Sequence, residues 1–365
     1  MYIENIKISN FRNLENCNLN FNDRLNIFVG NNAQGKTNIV EAIYLLAYGK
    51  SFRTIKDLEL LKFEEDYFFI QANIITNNRK YKINISYSKK DNKKYIKIND
   101  IIQKKLSMLL GKVNIVIFKP DDIEIIKKGP QVRRKFLDNF ILSLEPNYLE
   151  YIIKYNKVIE EKNKMLKKLR LENNYDDNLL DVYDNLLAEL NFKIFNFRKK
   201  YLNLINEYIF KIHTKATSYL NYKEEVKIKY INNMQNIEQI YNELKRKRKD
   251  DIFKGYTSYG IHRDDFNIYL NGLLVDTYGS QGQQKSTILS LKLSTLEIIK
   301  EIKKDNPILI LDDYMSELDE KRKMNFLKSI KDLQIFITTA EKIDILKQDN
   351  NIFNVNNGMI RSNNE

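Results

Sequence analysis

The sequence predicts an α/β fold in which both ends of the chain close one site around a helical insertion. Three observations predict it. Gly30-Asn31-Asn32-Ala33-Gln34-Gly35-Lys36-Thr37 matches G-x-x-x-x-G-K-[ST] in full, between a short apolar strand and an amphipathic helix. A second apolar run, Leu309-Ile310-Leu311, ends in Asp312-Asp313 near the other end of the chain. Lys36 and Asp312 stand 276 residues apart, too far for a compact phosphate-loop core, so a large insertion separates two parts of one site.

The elements follow in order. The start, Met1 to Ile8, alternates at period 2 and carries an early acid, so it reads as a strand and not a signal peptide. Arg24 to Val29 is an apolar strand, and Asn38 to Tyr48 has helical periodicity with Gly49 as its stop. Residues 67–75, 80–87 and 95–102 alternate like an antiparallel meander. From about 121 the period becomes helical. Tyr183, Leu187, Leu190, Ile194, Phe197, Tyr201, Leu204 and Tyr208 form a heptad seam, in a helix over 179–213 roughly 50 Å long. A similar seam starts at Tyr148, and the spacer 172–178 lets the two helices fold back on each other. These stripes suit either a bundle core or a short projecting coiled coil. Strand signals return at about 223. Asn271-Gly272 is a hairpin turn between strands 267–270 and 273–278, a long helix covers 282–303, and buried strands cover 307–311 and 335–337. This divides the chain into an N-terminal part of the head (1–120), a helical lobe (121–222) and a C-terminal part of the head (223–365).

Composition narrows the function. Of 365 residues, 61 are Lys or Arg and 48 Asp or Glu, giving +13. No apolar run approaches the ~20 residues of a membrane helix. Cys17 is the single cysteine and His213 and His262 are the two histidines, which excludes intramolecular disulfides, thiolate zinc clusters and histidine-rich metal sites. A reducing, cytoplasmic compartment fits.

The phosphate-loop pattern has a physical purpose. Its glycines let backbone N–H groups wrap phosphates at a helix N-terminus. Lys36 would reach the β- and γ-phosphates, and the Thr37 hydroxyl would ligate Mg²⁺. Asp312 would hold the same ion through water, and Asp313 would orient or deprotonate the attacking water, so Lys36 and Asp313 are the candidate catalytic residues. Ser280-Gln281-Gly282-Gln283 has two readings: Ser280 with Gln283 fits a capping box, and Gly282 gives backbone access for gripping a second subunit's γ-phosphate. Ser316-Glu317-Leu318-Asp319 lies where a subunit-contacting loop would follow the acidic strand.

These four elements in this order resemble the ABC-type ATPases of the SMC-like kind. A narrower match, to the RecF family of bacterial recombination mediators, covers nearly the whole chain. It is carried by Ile6 to Leu14, by the loop Gly30 to Asn38, by Gly49 to Thr54, by Pro120-Asp121-Asp122 with Arg133 to Asp138, by Gly260 to Asp265, and by Leu311 to Asp319. The resemblance implies an ABC/SMC-like head that binds ATP with Mg²⁺, dimerises head to head around two ATPs and hydrolyses them slowly. It implies binding to duplex and gapped DNA, and work with RecO and RecR to load RecA in repair. Site residues implied are Gly30, Asn31, Asn32, Ala33, Gln34, Gly35, Lys36, Thr37 and Asn38, with Ser280, Gly282 and Gln283 from the signature. Ile261 replaces the family's usual proline and Lys285 its usual arginine. Asp313 replaces the wider class's glutamate, and Thr338-Thr339-Ala340 has no switch histidine, which suits a slow switch and argues against a transporter-type ATPase.

Basic residues cluster at Lys162, Lys164, Lys167, Lys168 and Arg170 and at Lys245 to Lys249, with Lys50 and Arg53 as further candidates for phosphate-backbone contact. Solvated charged faces are the plain alternative. An SMC-like structural DNA tether is the alternative function, and it needs longer arms than these seams supply.

Overall fold

A computed structural model describes residues 1–77, 79–172, 177–217, 223–232, 234–317, 323, 326, 330, 332–340 and 350–362. It divides into two compact units, residues 1–122 with 295–365, and residues 123–294.

The first unit is built on a six-stranded sheet ordered Met359–Ser362, Asn350–Asn356, Leu25–Val29, Ile335–Thr339, Ile308–Asp312, Ile115–Phe118. All neighbours are parallel except the antiparallel edge pair Asn350–Asn356 and Met359–Ser362. Ile308–Asp312 is buried at every position, as its unbroken apolar run predicts for a strand covered on both faces. An antiparallel sheet carries the meander, with Tyr2–Ser9 between Cys17–Asn20 and Tyr67–Thr76. Helix Lys36–Tyr48 is buried from Ile39 to Ala47 and shares one apolar cluster with both sheets, which includes Ile6, Phe28, Ile70, Ile310 and Phe336. Gly49 ends it at φ +59, with its N–H on Leu45 O.

The second unit holds helices Tyr148–Glu172 and Asp177–Ala216, the latter 40 residues and therefore about 60 Å long. The seam belongs to a packed lobe and not to a free arm. Tyr201 meets Phe140, Phe197 meets Tyr148, and Phe195 stacks on Tyr230. A second column one step round the helix, Asp184, Asn191 and Arg198, is equally buried. Its polar groups bond other segments of the same unit.

Three expectations change. Stretch 95–102 turns back at Asn99-Asp100, both at positive φ, and forms two antiparallel strands, Lys93–Ile98 and Ile101–Ile102. Strand 273–278 is a two-residue strand, Leu273–Leu274, followed by a helical turn, Val275–Tyr278, that buries Val275 and closes on Gly279. Residues 223–294 group with the helical unit and not with the head. The cause is the sheet of Val226–Tyr230, Phe266–Leu270 and Leu273–Leu274, which is tied to the long helix where Asn206 bonds both N–H and C=O of Ile228. Most of spacer 172–178, and Leu318 and Asp319 of the candidate subunit-contacting loop, lie outside the described residues.

Candidate nucleotide site and signature helix

Three parallel strands deliver the site to one sheet edge, the C-terminal edge where α/β sheets bind ligands. Gly30 follows Val29, Asp312 ends its strand, and Thr338 sits on the strand between them. Gly35 caps the helix at φ +112 and Ala33 takes φ +64, so the loop curls as a phosphate cradle requires. Lys36 is 4% exposed, and its ammonium donates to Gly30 O at 2.8 Å and Asn31 O at 3.0 Å. Its charge already lies in the cradle.

Thr37 Oγ1 donates to Asp312 Oδ1 at 3.1 Å, and Thr338 Oγ1 donates to the same oxygen at 2.8 Å. Burial raises the Asp312 carboxyl above its ordinary pKa; the two hydroxyls oppose the rise and Asp313 adds to it. Asp313 sits at φ +50, a left-handed conformation Asp tolerates better than most residues, with its N–H on Thr338 Oγ1 at 2.9 Å. Among the described residues no group of three or more His, Cys, Asp or Glu could hold a metal. Thr37 and Asp312 offer two hard oxygens on adjacent elements, which fits an ion that keeps waters and arrives with phosphates, as Mg²⁺ does.

Several supporting roles were not legible in the sequence. Thr338, marked there only by the absence of a histidine, has one. Asn13 accepts from Asn38 Nδ2 at 2.6 Å, beside Gly35. Gln34 is braced by the C-terminal hairpin: Gly358 N–H donates to Gln34 O at 2.9 Å and Asn357 N–H to Gln34 Oε1 at 2.7 Å. Glu41, fully buried on the loop's helix, takes a two-pronged bond from Arg12 at 3.0 and 2.8 Å and further bonds from Ser51 and Arg53. An acid inside an apolar helix opposite Arg12 and Arg53 is the signal that could have found it.

In the second unit, Ser280 and Gln283 form the reciprocal capping box: Ser280 N–H donates to Gln283 Oε1 at 3.0 Å and Gln283 N–H to Ser280 Oγ at 3.3 Å. The helix Gln281–Lys303 starts there, with Gly282 in its first turn.

A family model described as RecF/RecN/SMC N terminal domain matches residues 2–361. The DNA replication and repair protein RecF of Clostridium acetobutylicum is 42% identical over 367 residues, covering 99% of each chain. This chain belongs to the RecF family. A solved structure of the recombination mediator protein RecF-ATP in the RecFOR pathway superposes with a TM-score of 0.91 at 37% identity, covering 99% of this chain and 97% of that one. An SmcHead bound to the C-winged helix domain of ScpA shares the fold, with a TM-score of 0.56 at 15% identity, covering 99% of this chain and 97% of that one.

The RecF-type motifs outside the loop are largely internal fasteners. Arg133 holds Asp265 with two bonds at 2.6 and 2.7 Å, and Arg134 donates to Asp264 O. Arg198 grips Asp138 twice and reaches Ile261 O and Asp264. His262 Nε2–H donates to Thr257 O at 2.9 Å, so its Nδ1 accepts the Tyr155 hydroxyl at 2.6 Å, and burial pushes the ring down to about 4. Two basic candidates are also internal. Lys162 is fully buried on Asp184 at 2.5 Å, and Arg248 bonds Asp184 and Asp181, so neither faces a DNA backbone. Lys164, Lys167, Lys168, Arg170, Lys245, Arg246 and Lys249 remain exposed. No helix among the described residues is long and apolar enough to cross a membrane.

Proposed function

We propose that this chain is an ATP-gated DNA clamp of recombinational repair. The observation that carries the reading is the junction of Thr37, Asp312 and Thr338, which puts the phosphate loop and the acidic strand on one carboxylate oxygen. The loop residues Gly30 to Asn38 would hold ATP, and Lys36 would exchange its two loop carbonyls for the β- and γ-phosphates. Thr37 and Asp312 would hold Mg²⁺, whose chemistry is to neutralise phosphate charge. Asp313 would position or deprotonate the water. The signature residues Ser280, Gly282 and Gln283 would grip ATP bound to a second copy, giving a head-to-head dimer with two sandwiched nucleotides. Exposed lysines and arginines of the helical unit supply positive charge for duplex DNA near single-strand gaps. Membership of the RecF family supports the partners RecO and RecR and the delivery of RecA, with slow hydrolysis releasing the clamp.

The test is gel filtration with and without ATP and gapped duplex over a salt series. The unaltered chain shifts to a dimer with ATP and retains gapped duplex at low salt. Lys36→Met does neither, and a Lys36→Met chain that still dimerised and bound DNA normally would overturn the reading.

A further inference from the structure

The N-terminus of the signature helix is backed by a line of polar contacts that runs from half-buried Gln283 inward to a fully buried imidazole. Gln283 acts twice: its Oε1 caps the Ser280 N–H at 3.0 Å, and its Nε2 donates to Glu224 Oε1 at 2.9 Å. Glu224 is 2% exposed, and its other carboxylate oxygen faces His213 Nε2 at 3.1 Å. His213 is fully buried, with Nδ1 2.9 Å from the Ser290 hydroxyl, two turns along the same signature helix.

A capping box is complete without such backing, because its two residues satisfy each other. Burying a carboxylate is costly unless its bonds are made. Here those bonds go to one signature side chain and to one histidine that is itself bonded to the signature helix. The arrangement holds the Gln283 amide in one orientation, with its oxygen on Ser280 and its nitrogen inward.

We propose that Glu224 and His213 are positioning residues of the signature motif, fixing Gln283 and through it the first helical turn in the arrangement that grips ATP carried by a second copy of this chain. The proposal rests on the sandwich reading above. Neither residue touches nucleotide in this scheme, so their loss acts on association and not on loading of the phosphate loop.

Sedimentation velocity of the full chain with ATP, beside equilibrium binding of a fluorescent ATP analogue, tests it. Ser280→Arg, which fills the grip directly, and Glu224→Ala both associate at least about tenfold more weakly, the scale of one lost hydrogen bond to a charged group, while Glu224→Ala binds the analogue like the unaltered chain at concentrations where both are monomeric. Glu224→Gln keeps an acceptor for Gln283 Nε2, while the imidazole can accept from its new amide. It recovers association to within about threefold, as a retained neutral hydrogen bond allows. Gln283→Glu keeps the cap on Ser280 but sets a carboxylate against Glu224, and it loses association like Glu224→Ala; it carries the test alone if Glu224→Ala does not fold. Normal association of the Glu224→Ala or Gln283→Glu chain, beside its loss in Ser280→Arg, overturns the proposal. Normal association of Ser280→Arg overturns the sandwich reading and the proposal with it.

Discussion

Thr37 donates its hydroxyl to Asp312 Oδ1 at 3.1 Å, across 275 residues of sequence. The carboxyl at this junction is raised by burial. A carboxyl whose native pKa lies above its unfolded value binds protons preferentially in the native state. Its stabilising contribution is therefore present at low pH and lost as the pH rises through the native pKa. At neutral pH the ionised group costs stability. Asp312→Asn should therefore melt at the same temperature as the unaltered chain or about 1–3 °C higher without nucleotide. It should also show none of the gain in melting temperature that ATP with Mg²⁺ gives the unaltered chain. Differential scanning calorimetry reads both, and a variant still stabilised by ATP–Mg²⁺ would remove Asp312 from the metal site.

Arg12 and Glu41 form a two-pronged ion pair beside the phosphate-loop helix, with Glu41 fully buried. Removing one partner of a buried pair leaves an uncompensated charge, at about 3–5 kcal/mol. Arg53 also reaches Glu41, at 3.4 Å, so Arg12→Ala should fall at the lower end, about 3 kcal/mol. Arg12→Lys should recover only part, because an ammonium cannot make both bonds. Urea denaturation measures this, and a loss below about 1 kcal/mol for Arg12→Ala would contradict it.

His262 is held neutral, its pKa lowered from 6.5 to about 4 by burial. The unfolded state binds the proton first as pH falls, so this stabilisation is complete above about 6.5 and is lost as pH falls toward 4. His213 is lowered by burial in the same direction. Urea midpoints should therefore fall steeply between pH 6.5 and 4.5. His262→Phe should be less stable at pH 7.5, because the Tyr155 hydroxyl loses its acceptor, yet show a shallower fall across that window. An equally steep fall in the variant would show that His262 is not the titrating group.

The parts of this fold that sequence exposed are those whose signal is local and periodic. The loop Gly30–Thr37, the strand ending at Asp312, the meander and the 40-residue helix each announce themselves within one stretch of chain. Thr338 does not, because a single hydroxyl at the end of a buried strand has no pattern; only the register beside Asp312 gives it a role. Asp184, Asn191 and Arg198 were hidden for another reason. A seam search counts apolar residues, and this buried column is polar and bonded to Lys162, Ile261 and Asp138. Charge runs misled in the same way: Lys162 and Arg248 read as surface because their buried partners are distant in sequence. The C-terminal hairpin was legible in principle, since Asn357-Gly358 is the same turn signal as Asn271-Gly272.

The burial of Lys162 separates two kinds of lysine on one helix. Lys164 is 71% exposed at its side chain and Lys162 is 0% exposed. If the exposed face carries the DNA contacts, Lys167→Ala with Lys168→Ala should reduce the slope of log affinity against log salt by about 0.9 per lost phosphate contact. Stability should be nearly unchanged. Lys162→Ala should do the reverse, destabilising by about 3 kcal/mol, the lower end for a broken buried pair because Asp184 keeps its bond from Arg248, while leaving the slope intact. Fluorescence anisotropy on gapped duplex across a salt series reads the slopes. A changed slope in folded Lys162→Ala would contradict the assignment.

Gly272 and Gly358 occupy the same conformation, φ +82, at the second position of an Asn-Gly turn, and differ only in what surrounds them. A Cβ on Gly272 would meet nothing within 4 Å, whereas one on Gly358 would come within 2.0 Å of Asn13 O. Both Gly→Ala changes incur the left-handed penalty of about 1–2 kcal/mol. Gly358→Ala must in addition push apart two backbones, and those backbones hold the phosphate loop, because Gly358 N–H bonds Gln34 O. Gly272→Ala should therefore be mildly destabilised with unchanged affinity for a fluorescent ATP analogue, and Gly358→Ala should lose about tenfold or more of that affinity, roughly 1.4 kcal/mol. The conformational term cancels in the comparison, so the difference reports the close approach alone. Equal ATP affinity in the two variants would mean that the C-terminal hairpin does not brace the loop.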